Sequence, residues 1–439
     1  MKKQSLILSM ALALLLTMIL PCSALADGTD DIVDYAGQIT LNMASESAKT
    51  EVLGIKTFID GDTTHFLVSD SVCESGVLKA RYLAVNTPEV TGKIEEYGKK
   101  ASQFTREKLS GAVSIILESD DGKWNLDSTA GRHLVWVWYK PAEGEPYRNL
   151  NIEILQNGLA IANSSANNRY GSVCMNAIAQ AKAQKLNVHS GQKDPDFYYG
   201  DAIELTLKEL RCNPEMYNGK KVAFNGVITM NNANAVYVEE YDAETDMYYG
   251  MSVYYGYGLS GAGLGILSVG NEARIVGTMQ YYEAGGTWQV SGLTYRMMKP
   301  KDPGNIQKLS DGHTPAWVLT SPETFVNGQV MITGEESEQT YPYAQLALGT
   351  SLEMKDLYVK YVYTTVDEDS SSYGAMTLTC EADGLNVYVR TIPLYDENQN
   401  LLTEDAFYGK TIDVKGIVDY FDGTYQIKVF TIGSINIHD

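Results

Sequence analysis

Two stretches in the second half of the chain repeat one pattern of glycines and aromatic residues, and this repeat limits what that half can fold into. Residues 269–290 read VGNEARIVGTMQYYEAGGTWQV, and residues 408–427 read YGKTIDVKGIVDYFDGTYQI. Each has two glycines seven residues apart, an aromatic pair four residues after the second glycine, and then Gly-Thr-aromatic-Gln-aliphatic. Such an internal repeat indicates two copies of one supersecondary unit. We therefore predict two β modules, over residues 199–300 and 319–439.

The strands of these modules are short, rich in Tyr, Val and Ile, and interrupted by glycine. A small closed barrel of the oligonucleotide/oligosaccharide-binding (OB) type fits this pattern, with Gly226, Gly277 and Gly416 at positions where a barrel strand must coil. An immunoglobulin-like sandwich is the alternative. The segment between the modules, residues 301–318, contains prolines and turn-forming residues and is predicted to be a linker.

The first part of the chain has a different organisation. Residues 1–26 combine two lysines, an apolar run and Ala-Leu-Ala, which predicts a secretory signal peptide and a secreted, extracellular protein. No other stretch reaches the roughly 18 apolar residues of a membrane span. Residues 27–48 are acidic and weakly patterned, which predicts a flexible lead-in. Residues 49–198 mix alternating strand patterns with helical spacing and predict an α+β domain.

Charge separates the two halves of the chain. Residues 51–200 carry 18 acidic and 16 basic residues, whereas residues 201–439 carry 32 acidic and 15 basic residues. A polyanion such as nucleic acid would therefore bind the first half. Outside the predicted leader the four cysteines are scattered, which argues against a zinc site. They are either isolated thiols or include a disulfide such as Cys73–Cys174.

The residues that point to chemistry lie in the first half. A strand-like run ending in Asn86-Thr87-Pro88 contains Arg81, and Glu89 follows it directly. Asp62 lies in the turn Asp60-Gly61-Asp62, and Gly131-Arg132 comes later. Hydrolysis of a phosphodiester needs charge stabilisation on the phosphate oxygens and a base that orients water. Two guanidinium groups and several carboxylates are suited to both tasks.

This ordered set resembles the thermonuclease family, the staphylococcal-nuclease-like enzymes, over about residues 50–190. The segments EYGKKASQFTREKL, LNIEILQNGLA and AQAKAQKLNVHS extend the resemblance beyond one motif. It implies a five-stranded OB-type barrel with helices. It further implies a calcium ion bound by Asp62, Asn86 and the Thr87 carbonyl oxygen, with Glu89 as general base or water-positioning group. Arg81 and Arg132 would bind the phosphate.

Several positions differ from the better-known members of that family. Asn86 stands where they have Asp. Ala130 and the stretch Asn163-Ser164-Ser165-Ala166 stand where they have tyrosines that line the nucleotide pocket. We expect a calcium-dependent nuclease acting on DNA and RNA. The alternative is an extracellular binding protein with a catalytically weakened nuclease fold. The aromatic, acidic modules suit a glycan or cell-wall partner.

Overall fold

The first barrel begins with one bent strand whose two halves pair with different neighbours. The structure, a computed structural model, describes residues 32–128, 131–257, 259–333, 338–367, 370 and 372–438. The strand β1 (Lys49–Glu51) pairs with β6 (Ser114–Glu118), and its continuation β2 (Gly54–Phe58) pairs with β3 (Thr63–Leu67). The remaining pairs are β3 with β4 (Val77–Tyr82), β4 with β7 (His133–Lys140), and β7 with β6. These pairings close the barrel.

Alternating side chains fill this barrel. Every second residue of β4 is buried, and Trp136 and Trp138 of β7 are fully buried. The helices packed on the barrel are α1 (Tyr35–Gln38), α2 (Gly98–Ser110), α3 (Leu150–Gln156) and α4 (Gly171–Ala183). The short strands are β5 (Ala84–Asn86), β8 (Arg148–Asn149) and β9 (Ile161–Asn163). The predicted α+β domain with an OB-type barrel is confirmed.

Part of the predicted flexible lead-in is ordered. Ala36 of α1 is fully buried, and its N–H donates to Gln156 Oε1 at 2.9 Å. Leu41 is also buried in the core of the first barrel. The four-residue helix is too short to show a helical period in the sequence, and its stability depends on contacts with distant residues. Residues 1–31, including the predicted signal peptide, lie outside the described residues.

The two repeats fold into modules with the same strand order. The first contains β10 (Ile203–Glu204), β11 (Lys221–Asn232), β12 (Ala235–Asp242), β13 (Met247–Tyr254), β14 (Glu272–Tyr282), β15 (Thr287–Ser291) and β16 (Gln307–Ser310). The order β10-β11-β12-β13-β15-β14-β16 closes through an additional β11–β14 pairing. Helices α5 (Leu207–Cys212) and α6 (Ala262–Ile266) accompany it.

The second module repeats this arrangement strand for strand. Its sheet contains β17 (Val318–Leu319), β20 (Ser351–Thr364), β21 (Met376–Ala382), β22 (Leu385–Thr391), β23 (Thr411–Phe421), β24 (Thr424–Val429) and β25 (Ile435–His438). The order β17-β20-β21-β22-β24-β23-β25 closes through β20–β23. A separate hairpin, β18 (Gln329–Thr333) and β19 (Glu338–Pro342), lies between helices α7 (Pro322–Asn327) and α8 (Tyr343–Leu346).

The repeated glycines mark close contacts between strands. A Cβ on Gly277 would lie 2.6 Å from Val290 Cγ1, and a Cβ on Gly416 would lie 2.6 Å from Ile427 Cγ2. Both contacts lie between the two strands of the repeated hairpin. The predicted closed OB-like barrels are confirmed, and the alternative of an immunoglobulin-like sandwich is wrong.

The segment predicted as a linker is largely structured. Residues Gln307–Ser310 form β16, which pairs with β14 of the first module, and Val318–Leu319 pairs with β20 of the second. Asn305 and Ile306 are buried. The prolines and turn formers there end and redirect strands, and the pairing partners are more than 30 residues away, so local composition could not reveal them.

Two further observations concern the described residues as a group. Cys73, Cys174, Cys212 and Cys380 are all free thiols, which is the isolated-thiol alternative of the sequence analysis. Within the described ranges every helix is too short or too polar to cross a membrane.

Candidate active site

The turn between β2 and β3 places two aspartates at one end of the first barrel. Asp60 Oδ1 accepts the N–H of Asp62 at 3.0 Å, which fixes the turn. The Gly61 carbonyl accepts from Thr105 Oγ1 of α2 at 2.6 Å. A Cβ on Gly61 would lie 2.9 Å from both Ala101 and Thr87, so only glycine lets the turn approach the helix this closely.

Asp62 is the centre of the polar contacts. It is buried, and its Oδ1 forms an ion pair with Arg81 Nη1 and accepts from Thr63 Oγ1 at 3.0 Å. Arg81 lies opposite Thr63 in the β3–β4 register, which points its side chain at the turn. Its Nη2 donates to Asn86 Oδ1 at 2.8 Å. The guanidinium therefore joins two of the residues predicted to bind metal.

The segment after β4 brings Asn86 and Thr87 to the same place. Ala84 adopts a positive φ of 70°, and the chain then pairs Asn86 with Ile161 of β9. The Thr87 N–H donates to Asp62 Oδ2 at 2.7 Å. Thr87 Oγ1 is buried and has no hydrogen-bond partner among the described residues.

Two hydrogen bonds between Glu89 and Glu95 close the loop that carries Glu89. The Glu89 N–H donates to Glu95 Oε2 at 3.1 Å, and the Glu95 N–H donates to the Glu89 carbonyl at 2.9 Å. Gly98, the first residue of α2, lies so close that a Cβ would approach the Glu89 carbonyl oxygen to 2.6 Å. The loop thus holds the Glu89 backbone, while its side chain is exposed.

Arg132 lies just before β7, which runs parallel to β4. Its Nε and Nη2 donate to Asp127 Oδ2 at 2.8 and 2.5 Å, and its N–H donates to Asp127 Oδ1 at 3.1 Å. Asp127 therefore orients Arg132 from five residues upstream. Because His133 pairs with Ala80 and Leu134 with Arg81, Arg132 directly precedes the β4–β7 pairing, next to the strand that carries Arg81.

Comparison with known families identifies this part of the chain. Residues 79–190 match the family model described as staphylococcal nuclease homologue. The chain contains a staphylococcal-nuclease-type domain. The matched range includes Arg81, Asn86, Thr87, Glu89 and Arg132. Asp62 lies outside it, but its contacts with Arg81 and Thr87 join it to the same site.

Burial and a neighbouring carboxylate raise the pKa of two acidic groups in the nuclease domain's site. Burial, followed by the neighbouring Asp62 carboxylate, raises the pKa of Asp60 to about 8. Partial desolvation, again followed by Asp62, raises the pKa of Glu89, while Arg81 and Arg132 act in the opposite direction. These interactions show that the predicted charged residues share one electrostatic environment. A raised pKa moves a carboxyl towards the pH range in which general acid–base groups work.

The donor atoms fit a hard cation. Asp62 supplies a carboxylate, Asn86 an amide oxygen and Thr87 a carbonyl, and oxygens of these kinds are the ligands of calcium in proteins. The unpartnered Thr87 Oγ1 adds a buried oxygen beside Asp62. Two of the same oxygens contact the Arg81 guanidinium, so a bound cation and Arg81 would compete for them.

Three positioning residues were not predicted from the sequence. Thr105 anchors Gly61, Glu95 closes the Glu89 loop, and Asp127 orients Arg132. Only Asp127 could have been found from the sequence. An acidic residue five positions before an arginine, on the other side of a turn, can form an ion pair with it. Ala130, one of the positions that differ from the family pattern, lies outside the described residues.

A groove of about 700 Å³ lies next to the site. Asn86, Thr87 and Pro88 form one wall, and Ile161, Val188 and Phe197 are among the other lining residues. The positions after Ala160 that lack the expected tyrosines are exposed from Ile161 to Ser164. The groove therefore reaches the metal-ligand candidates, but residues 161–166 offer it no aromatic ring.

Proposed function

We propose that the chain is a calcium-dependent, secreted nuclease that hydrolyses the phosphodiester bonds of DNA and RNA. One observation carries the proposal: a staphylococcal-nuclease-type domain brings Asp62, Arg81 and Asn86 into direct contact, with Glu89 and Arg132 in the same electrostatic environment. The proposal that the protein is secreted rests on residues 1–26, which have the pattern of a signal peptide.

The residues divide the work as follows. Arg81 and Arg132 bind the non-bridging phosphate oxygens, where negative charge grows in the transition state. Glu89 accepts a proton from the attacking water. The water oxygen bonds to phosphorus, and the bond from phosphorus to the 5′ oxygen breaks. The 5′ oxygen takes up a proton from solvent, so the products are a 3′-phosphate and a 5′-hydroxyl. A calcium ion on Asp62, Asn86 and the Thr87 carbonyl would polarise the phosphate.

Digestion by the mature chain tests this proposal. Single- and double-stranded DNA and RNA are incubated with calcium or with a chelator, and the product ends are analysed. Calcium-dependent release of 3′-phosphate ends supports the proposal, and full activity in chelator contradicts the metal requirement.

The second candidate is a binding protein with a weakened nuclease fold. It is favoured by the ion pairs of both arginines, because Arg81 pairs with Asp62 and Arg132 with Asp127. Binding of nucleic acid without cleavage, under every metal condition, would support it.

For the modules we propose a neutral glycan of the cell wall. A pocket of about 600 Å³ lies between them, and its lining includes Trp288, Tyr420, Tyr425, Gln339 and Gln345. Aromatic faces with amide groups suit sugar rings and hydroxyls. Titration of the full chain with cell-wall polysaccharide, compared with Trp288→Ala, tests this. An unchanged affinity in that variant would contradict the pocket assignment.

A further inference from the structure

The first β module docks on the loop that carries Glu89. The side-chain amide of Gln280 in β14 donates to the Val90 carbonyl, and Arg106 of α2 forms an ion pair with Glu283. A Cβ on Gly292 would lie 3.2 Å from Ile94 Cγ1 and 3.3 Å from the Gly92 carbonyl oxygen. Residues 90–94 therefore pack against the module, and they follow Glu89 directly in the chain.

Tyrosines of the module lie at this contact. A Cβ on Gly92 would lie 3.7 Å from the Tyr254 ring. A Cβ on Gly256 would lie 3.5 Å from the same ring, so the segment that carries Tyr257 packs on Tyr254. Tyr282 lines one cavity with Val90 and Thr91 of the loop. Burial, followed by Tyr257, Tyr282 and Glu89, raises the pKa of Tyr254, so each of these groups lies near the Tyr254 hydroxyl. Tyr257 is 89% exposed and Tyr282 is 42% exposed, so both rings are available to a ligand.

The chemistry of this surface favours bases over phosphates. The modules belong to a region with 32 acidic and 15 basic residues, which disfavours a second phosphate-binding surface. Aromatic rings stack on nucleobases without needing positive charge. Residues 161–166 of the nuclease domain, where the family resemblance implies tyrosines, contain none.

We propose that Tyr257 and Tyr282 of the first module form a stacking subsite for the bases of a single-stranded substrate, beside the loop that carries Glu89 in the nuclease domain. Tyr254 supports this subsite by packing on Gly92. The inference rests on the proposed nuclease function and extends it: the substrate-binding surface is shared between two domains.

The test compares Tyr257→Ala, Tyr282→Ala and the double variant with the parent, in the chain from residue 27. Tyr361→Ala and Tyr363→Ala, two exposed tyrosines of the second module, serve as matched controls. We expect the double variant to raise KM for a single-stranded oligonucleotide about tenfold or more, with kcat little changed. The Phe variants, which keep the rings, should restore KM.

Two further measurements locate the effect. Cleavage of a single strand made of abasic sites, which has phosphodiester bonds but no aromatic ring to stack, should be unchanged in the double variant. Fluorescence anisotropy of a labelled single strand on a Glu89→Gln background should show the same loss of affinity at low and high salt, because stacking releases no counterions.

The outcomes separate the two proposals. If the parent cleaves nucleic acid but the double variant keeps its KM and its affinity, the subsite is wrong and the nuclease function stands. An equal loss in the second-module controls would also overturn the subsite. If the parent neither binds nor cleaves any nucleic acid, both proposals fail.

Discussion

The chain uses closed β-barrels in two regions, and the regions place their buried charges differently. In the nuclease domain, Asp60, Asp62 and Arg81 lie together at one end of the barrel, beside an open groove. In the modules, Arg211 and Glu239 are buried singly, each bonded across the junction between the modules. The same architecture therefore holds the proposed catalytic residues in one region and joins two modules in the other.

The junction between the modules explains why such charges are tolerated. Arg211 donates to the carbonyls of Gly250 and Leu348, and Glu239 accepts from the N–H groups of Ala316 and Ser351. One hydrophobic cluster runs through both modules, while the nuclease domain has its own. We infer that the modules unfold together. The nuclease domain contacts the first module through Gln280 and Val90, through the Arg106–Glu283 ion pair, and through the packing of Gly292 on Ile94.

Among the substitutions that test this comparison, Glu89→Gln should have the largest effect on the rate of DNA hydrolysis. Removal of the base should reduce DNA hydrolysis by at least about a hundredfold, because positioned proton transfer contributes that much. Steady-state cleavage of single-stranded DNA measures it, and circular dichroism checks the fold. Glu74→Gln, an exposed carboxylate of the same domain, is the control. A folded Glu89→Gln variant with the parental rate would refute the assignment.

Arg132→Ala should cost about a hundredfold as well, since a charge-stabilising donor is lost from the transition state. Arg132→Lys keeps the charge but loses the planar fork that pairs with Asp127, so we expect it to recover only part of the rate. Lys123→Ala, an exposed base nearby in sequence, is the control. If alanine and lysine variants both match the parent, Arg132 does not act on the phosphate.

Arg211→Met should act on stability and leave catalysis unchanged. The substitution leaves the Gly250 and Leu348 carbonyls without their donor, which costs about 1–3 kcal/mol for a buried group. Urea unfolding monitored by tryptophan fluorescence measures this, and Arg296→Met, an exposed arginine, is the control. A loss of nuclease activity in the folded variant would contradict the separation of roles between the two regions.

The sequence predicted what depends on local pattern or on an ordered motif. The glycine-aromatic repeat predicted two barrels, and the order Asp62, Arg81, Asn86, Glu89, Arg132 predicted residues that the fold does bring together. It did not predict β16, helix α1 or the docking of Gln280 on Val90, because each depends on contacts between residues far apart in the chain. Strand pairing across such distances leaves no periodic signal.

Asn86→Asp should produce a smaller change, in calcium affinity. A carboxylate at this position adds a formal charge to the ligand set, so the calcium concentration for half-maximal activity should fall. The gain is limited because Arg81, which already binds the Asn86 amide oxygen, would pair more strongly with a carboxylate. Isothermal titration with calcium measures the affinity apart from activity. An unchanged or weaker affinity would show that residue 86 is not a ligand.

The smallest expected effect is the binding of DNA by the two modules without the nuclease domain. Residues 200–439 contain the cluster shared by both barrels, so we expect them to fold when expressed separately. Their excess of acidic residues opposes phosphate binding, and the tyrosines beside Glu89 lose the nuclease domain's Arg81 and Arg132. Their affinity for DNA should then be weaker than the roughly 10⁻⁴–10⁻⁶ M of ordinary non-specific binders at physiological salt.

The complementary fragment, residues 27–199, sharpens this last prediction. It keeps the residues proposed for chemistry, so cleavage should persist, but it lacks Tyr257 and Tyr282 and should show a raised KM for single strands. Fluorescence anisotropy with a labelled strand, recorded for both fragments and for the whole chain over a range of salt, compares the three affinities. Sub-micromolar, salt-sensitive binding by residues 200–439 would mean that the modules hold phosphates themselves. The contrast between a catalytic barrel and two assembly barrels would then be wrong.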